Sequence, residues 1–356
     1  MLVLVTGGTG FIGSHSTAAI LDAGHRVRML VRDPARARRV LAALGADARR
    51  VELVTGDVTE PADVARVADG CAAVLHAAGV YSFDSRDRAR MRAVNLRGTE
   101  VVLGAARTAG LDPIVHVSTF GALLPAARSP LTVDSPVGVP REAYLSSKAA
   151  AEHVARRHQD DGAPVVVTYP LASLGPDDPH LGDQTTRVRN VLRGLMPLWP
   201  TGGFPVGDVR DVARLHAAVL EPGRGPRRFP APGRYVTTRE FVDALRRVTG
   251  RTLPTLRLPA PALLPVGHLV SAAQRLSPVH LPAEHGAIYL CATARPMDGT
   301  PTEELLGPES RSLDETMTDT VRWLHRTGRL SRRQAGTAAT DVARKLRAAP
   351  PPTISR

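Results

Sequence analysis

Apolar residues open the chain in a short run, Leu2-Val3-Leu4-Val5, pass into a glycine-rich stretch, and return in Ser14 to Ala23 with helical spacing. The same order then repeats. Arg26 to Val31 alternates as a strand, and Arg32-Asp33-Pro34 turns into a helix reaching about Leu44, with proline suited to a first helical position. Val51 to Val54, Ala73 to His76, Ile114 to Val117 and Val165 to Tyr169 predict four further strands, interleaved with helices over about Arg86 to Ala109 and Tyr144 to His158. Strand and helix in alternation predict an α/β fold, a Rossmann-type doubly wound parallel sheet.

Beyond Gly175-Pro176 the alternation breaks down and proline becomes frequent. Helices are predicted around Arg187 to Leu195, Asp211 to Glu221, Arg239 to Thr249 and Leu313 to Leu324. We therefore expect a nucleotide-binding domain over 1–174 and a smaller, mostly helical C-terminal substrate domain over 175–330, with 206–222 returning to the first domain. Leu258 to Leu276 is apolar but interrupted by Pro259, Pro261, Pro265 and His268, which reads as a lid or pocket wall. Residues 331–356, arginine-containing and ending near Pro350-Pro351-Pro352, predict a disordered basic tail.

The stretch Thr6-Gly7-Gly8-Thr9-Gly10-Phe11-Ile12-Gly13 lies between the first strand and the first helix. In that setting Gly7 allows a tight turn, Gly10 lets backbone approach a pyrophosphate, and Gly13 lets the helix sit close to the strand. The helix N-terminus offers N–H groups to phosphates, and Phe11 and Ile12, leading into it, are expected at the cofactor. This predicts a dinucleotide cradle. At the end of the second strand an acidic residue would hold a ribose 2′-hydroxyl and an arginine a 2′-phosphate. Both Arg32 and Asp33 stand there; Asp33 also reads as a helix N-cap, which leaves Arg32 and Arg39 for the phosphate of NADP, with NAD the alternative.

The chain of 356 residues carries a formal charge of +12, but its arginines are scattered without an aromatic-interleaved stripe, which argues against a nucleic-acid partner. No apolar run predicts a membrane span, and the chain enters a strand without the basic start of a secretory signal, so the expectation is cytoplasmic. Cys71 and Cys291 predict core thiols, and no histidine or cysteine spacing predicts a metal site. Lysine is scarce. It occurs only at Lys148 and Lys345, so a lysine inside the folded part of an arginine-rich chain points to a specific use.

Lys148 stands four residues after Tyr144, on one face of the predicted helix. A fixed ammonium within about 4–6 Å would favour the phenolate and lower a phenol pKa from its usual value near 10. Tyr144 could then give or take a proton. Thr119, or Ser118, at the C-terminal end of the fifth strand, would hold the substrate oxygen.

Taken together, the glycine pattern, Gly56-Asp57, Ala77-Ala78-Gly79, Asn95-x-x-Gly98-Thr99, Ser118-Thr119 and Tyr144-x-x-x-Lys148 resemble the extended short-chain dehydrogenase/reductases. The resemblance runs to about residue 328, and its closest pattern is the dihydroflavonol reductase and hydroxysteroid dehydrogenase-like branch of the epimerase/dehydratase family. It implies that Asp57 and Val58 contact the adenine and that Ala77, Ala78 and Gly79 line the nicotinamide ribose. It also implies cofactor contacts from Asn95, Tyr144, Lys148, Pro170 and Ser173, with Tyr144, Lys148 and Thr119 or Ser118 as the catalytic group. A homodimer through the two long helices is implied as well.

Departures from the family narrow the chemistry. Phe120-Gly121 stands where sugar dehydratases carry Asp-Glu, and Leu123-Leu124-Pro125 where many epimerases carry Tyr-Gly. The expectation is an NADP-dependent reductase of a small ketone or aldehyde, with a nucleotide-sugar epimerase or a non-catalytic dinucleotide sensor as alternatives. Apolar residues at Phe120 to Pro125 would suit an aromatic, terpenoid or steroid-like ketone.

Overall fold

A computed structural model describes residues 1–82, 85–259, 262–263 and 285–340. A seven-stranded sheet forms its centre, built from β1 (Leu2–Thr6), β2 (Arg26–Val31), β3 (Val51–Thr55), β4 (Ala73–His76), β5 (Ile114–Val117), β6 (Val165–Tyr169) and an edge strand, β10 (Arg227–Pro230). The order across it is β10-β6-β5-β4-β1-β2-β3, every pair parallel. Strands buried on both faces need near-continuous apolar sequence, which β4, β5 and β6 supply. The order reverses between β1 and β4. Loops leaving those two strands diverge, and the crevice between their C-terminal ends is where an open α/β sheet takes a ligand.

Helices α1 (Phe11–Asp22), α2 (Pro34–Ala43), α3 (Pro61–Ala68), α5 (Gly98–Thr108), α6 (Ala143–Asp160) and α8 (Val209–Ala218) accompany this sheet. The long helix expected over Arg86 to Ala109 is broken: a short α4 (Arg88–Met91) leads through a π-helical turn at Arg92–Arg97 into α5. Helix α8 lies against α1, and its buried His216 bonds Ser16 of α1 and Thr168 of β6 at 2.7 and 2.9 Å. That links a helix far along the chain to the cradle helix.

Two small sheets lie beyond β6. One orders as β11-β9-β7, from β7 (Ala172–Leu174), β9 (Gly203–Asp208) and β11 (Arg234–Thr237); the other pairs β8 (Leu198–Pro200) with β12 (Leu256–Leu258). The remaining helices are α7 (Asp183–Leu192), α9 (Thr238–Thr249), α10 (His285–Thr293), α11 (Thr300–Leu306) and α12 (Leu313–Arg326). The late region thus holds strands that its sequence pattern did not announce. A short helix at Arg332–Ala335 and a 3-10 turn at Gly336–Ala339 occupy the start of the expected disordered tail, because Ser331 and Gln334 form a reciprocal N-cap. The expected lid over Leu258 to Leu276 falls mostly outside the described residues, as does 341–356. No described helix is long and apolar enough to cross a membrane.

Candidate active site

Gly7 has φ +74°, and a Cβ there would stand 2.4 Å from the Ala77 backbone, so β1 can leave its strand beside β4 only with glycine. At Gly13 a Cβ would come 2.3 Å from the Gly7 carbonyl oxygen. The turn closes through the Gly10 N–H to the Gly7 carbonyl at 2.9 Å, and Gly10 caps α1 with no side-chain acceptor. Gly10, Phe11, Ile12 and Gly13 line a cleft of about 380 Å³. Backbone packed this tightly, ending in uncapped helix N–H groups, fits a dinucleotide pyrophosphate.

The residues expected at the adenosine come from β2, β3 and their loops. Asp33 is the N-cap of α2 and accepts from the Arg36 N–H at 3.0 Å, so its carboxylate is held at the helix. Arg32 and Arg39 are exposed. Asp57 accepts from the Thr59 N–H and hydroxyl at 2.9 and 2.8 Å, folding the loop after β3, while Val58 packs on Gly98. None of these five lines the enclosed cleft. Sequence reasoning passed over Arg36, whose guanidinium reaches the His180 ring at the cleft rim, 144 residues away in the chain.

Ala77, Ala78 and Gly79, after β4, line the opposite wall. They are fixed from below. Thr6 bonds the His76 ring at 2.8 Å, and His76 bonds Thr99 at 3.1 Å. Burial holds His76 down at about 3, so it stays neutral, and it stacks on His116 of β5 at 5.7 Å. Asn95 sits in the π-helical turn, accepts from the Val80 N–H at 2.7 Å, and donates to the Val80 carbonyl and the Ser147 hydroxyl at 3.0 and 2.9 Å. It ties the loop after Gly79 to α6; within the described contacts it positions both and is not itself part of the cleft wall.

Glu142 caps α6 by accepting from the Tyr144 and Leu145 N–H groups at 3.0 and 2.8 Å, which places Tyr144 in the first helical turn. Thr119 lines the same cleft wall as Tyr144, with its hydroxyl on the side of the phenol. The Thr119 contacts with the Pro170 carbonyl at 3.4 Å and the Gly121 N–H at 3.2 Å fix the side chain at the end of β5. Lys148, buried one turn beyond Tyr144, donates to the Val117 carbonyl at 2.8 Å. Ser118 lines the cleft with a buried hydroxyl that has no bonded partner among the described residues, and Pro170, after β6, and Ser173, on β7, line it too.

The ionisation of this group differs from the sequence expectation. The Tyr144 phenol is pushed above its ordinary value, first by burial and then by the carboxylates of Glu142 and Asp183, with the nearby Thr119 hydroxyl acting the other way. Lys148 does not enter that balance. Its ammonium is itself brought down to about 8 by burial, with Glu152 opposing. The phenol is therefore held protonated, as a proton donor requires.

The far end of the cleft was not legible in the sequence. Tyr81 packs edge-on against Tyr144 with ring centroids 4.6 Å apart. Phe120, Gln184, Arg187, Phe204, Leu290 and Cys291 complete the wall. Of the apolar run expected beside Thr119, only Phe120 and Gly121 face the cleft; Leu123 and Leu124 turn into the core. Cys291 is buried as expected, yet at the cleft wall, and burial raises its thiol to about 11. Cys71 is half-buried and donates to the Val67 carbonyl.

A Rossmann sheet with a glycine cradle at its switch point, and a Tyr-Lys helix facing it, defines a nicotinamide-dinucleotide oxidoreductase. The comparisons agree. Residues 3–230 match the model of the NAD dependent epimerase/dehydratase family, and the chain belongs to that family. It is 27% identical to a putative dihydroflavonol 4-reductase of Synechocystis sp., over 91% of this chain and 94% of that one. It is 30% identical to a 4-hydroxy-2-methyl-3-oxo-4-farnesyl-3,4-dihydroquinoline-1-oxide ketoreductase of Stigmatella aurantiaca, over 90% of this chain and 96% of that one. Among solved structures, gox2253 superimposes with a TM-score of 0.78 at 26% identity, covering 93% of this chain and 99% of its own. The protein is an NAD(P)-dependent enzyme of the extended short-chain dehydrogenase/reductase type.

Proposed function

We propose that the protein is an NADPH-dependent reductase of a small ketone or aldehyde, able to run in reverse as an alcohol dehydrogenase. The observation that carries this reading is the placement of Thr119 and a protonated Tyr144 together on the wall of a cleft that begins at the dinucleotide cradle. When bound, the nicotinamide supplies or accepts the hydride. Thr119 orients the carbonyl oxygen, and the Tyr144 hydroxyl delivers the proton to it. Gly7, Gly10 and Gly13 seat the pyrophosphate, Ala77 to Gly79 and Lys148 face the nicotinamide ribose, and Asp57 and Val58 meet the adenine. Arg32 and Arg39 provide charge for a 2′-phosphate.

Apolar side chains at Phe120, Leu145, Leu171, Phe204 and Leu290 favour a substrate with an apolar body over a polyhydroxylated sugar, whose hydroxyls would lie against that wall unpaired. We place the enzyme in the cytoplasm as a homodimer through α5 and α6. The test is a panel of aromatic ketones, aldehydes and nucleotide sugars with absorbance of the reduced cofactor followed. Net oxidation of NADPH with a ketone supports the reading. Isomerised nucleotide sugar without net cofactor change, from protein that purifies with stoichiometric NAD, would overturn it in favour of an epimerase.

A further inference from the structure

Arg187, on α7, enters the far end of the cleft. One of its N–H groups donates to the Gln184 Oε1 at 2.7 Å, and its guanidinium lies over the Phe204 ring, 5.1 Å from the centroid. Gln184 in turn lies on the side of Tyr81, which packs on Tyr144. The guanidinium is thus held by a neutral amide and a ring face, and a contact with a ring face uses no N–H. A guanidinium has five N–H donors, so most remain unspent among the described residues. Arg187 forms no ion pair with a carboxylate among the described residues.

Lys148 and Arg187 are the only lysine and arginine among the described residues lining the cleft. The first serves the reacting end and the second stands among apolar walls. An apolar group closing over Arg187 would strip water from its N–H groups and return no acceptor, a costly arrangement, and a neutral acceptor would return only an uncharged bond. A carboxylate would meet the guanidinium fork with two charge-assisted bonds. Asp183, one turn earlier on α7, lays a negative field over Tyr81 and Tyr144, which disfavours a doubly charged group beside it.

We infer that Arg187 is an anion-recognition site, and that the substrate is an oxo acid: a ketone or aldehyde with an apolar body and a single carboxylate at the end remote from the reacting carbonyl. This rests on the reductase reading for its carbonyl end only. The anion site is defined by Arg187, Gln184 and Phe204.

Benzoylpropionate and benzoylbutyrate, each beside its methyl ester, test it on the full chain saturated with NADPH. Two readouts are taken: equilibrium binding by calorimetry with NADP+ in place of NADPH, and NADPH oxidation. At least one acid should bind about tenfold or more tighter than its ester, the effect expected of a charge-assisted pair. Arg187→Gln should bring that ratio close to one, and Arg187→Lys, which keeps the charge and loses the fork, should retain part of it. Equal binding of acid and ester, or a preference that survives in Arg187→Gln, overturns the inference. An Arg187-dependent preference without NADPH oxidation leaves the anion site standing and overturns the reductase reading. Reduction of ketones with no acid preference does the reverse.

Discussion

The two ends of the cleft are built by different means. At the end formed by the glycine cradle the wall is backbone: a glycine turn, a helix N-terminus and the residues leaving β4, all set by strand ends that the sheet places side by side. At the opposite end, where we propose the substrate sits, it is side chains drawn from α7, β9 and α10, segments that meet only in the folded chain. Shape fixed by backbone tolerates almost no added atoms. A wall of side chains can change identity while its fold persists, which is how one scaffold comes to host many substrates.

The largest test of this contrast lies where the two ends meet. Tyr144→Phe should lower turnover by about 10²–10⁴-fold, the usual worth of a general acid, with NADPH affinity within a few-fold of the parent. Turnover within tenfold of the parent would remove Tyr144 as the proton donor. Next is the backbone wall itself. Gly13→Ala sets a methyl group against the Gly7 carbonyl, which the turn cannot move without leaving β1. Calorimetry should show NADPH affinity lost by at least about tenfold, whereas an alanine at Arg187 should leave it little changed.

Smaller is the choice of cofactor. Arg32→Ala should erase most of an approximately tenfold preference for NADPH over NADH, the scale of one charge-assisted contact with the 2′-phosphate. If the preference persists until Arg36 is also replaced, the exposed arginine at the cleft rim carries it instead. The smallest effect is in pH. An exposed lysine keeps its charge to about 10.4, but burial lowers Lys148 to about 8, so the ammonium is lost as pH rises through that value. The rate of ketone reduction should therefore fall above about pH 8. Glu152→Gln removes the carboxylate that opposes the shift and should move the midpoint lower.

Legibility in the sequence follows the same division. The first six strands and the cradle could be read because each depends on residues adjacent in the chain, and Tyr144-x-x-x-Lys148 because one helix presents both. The edge strand β10 could not. Its sequence, Arg227-Arg228-Phe229-Pro230, is charged and ends in proline, and only pairing with β6 makes it a strand. Tyr144 shows the limit for chemistry. The spacing brings Lys148 near, but it does not reveal that Val117 takes the ammonium or that Glu142 and Asp183 face the phenol. Arg187 and Phe204 carry no local mark, since what gives each a role is the other.

The buried ammonium of Lys148 also makes the protein its own spectroscopic probe. Lys148 and Lys345 are the only lysines in the chain. Protein grown on lysine labelled with 13C at Cε and 15N at Nζ would give one resonance from the heart of the site and one from beyond residue 340. The first follows ionisation, cofactor docking and ligand arrival at the site.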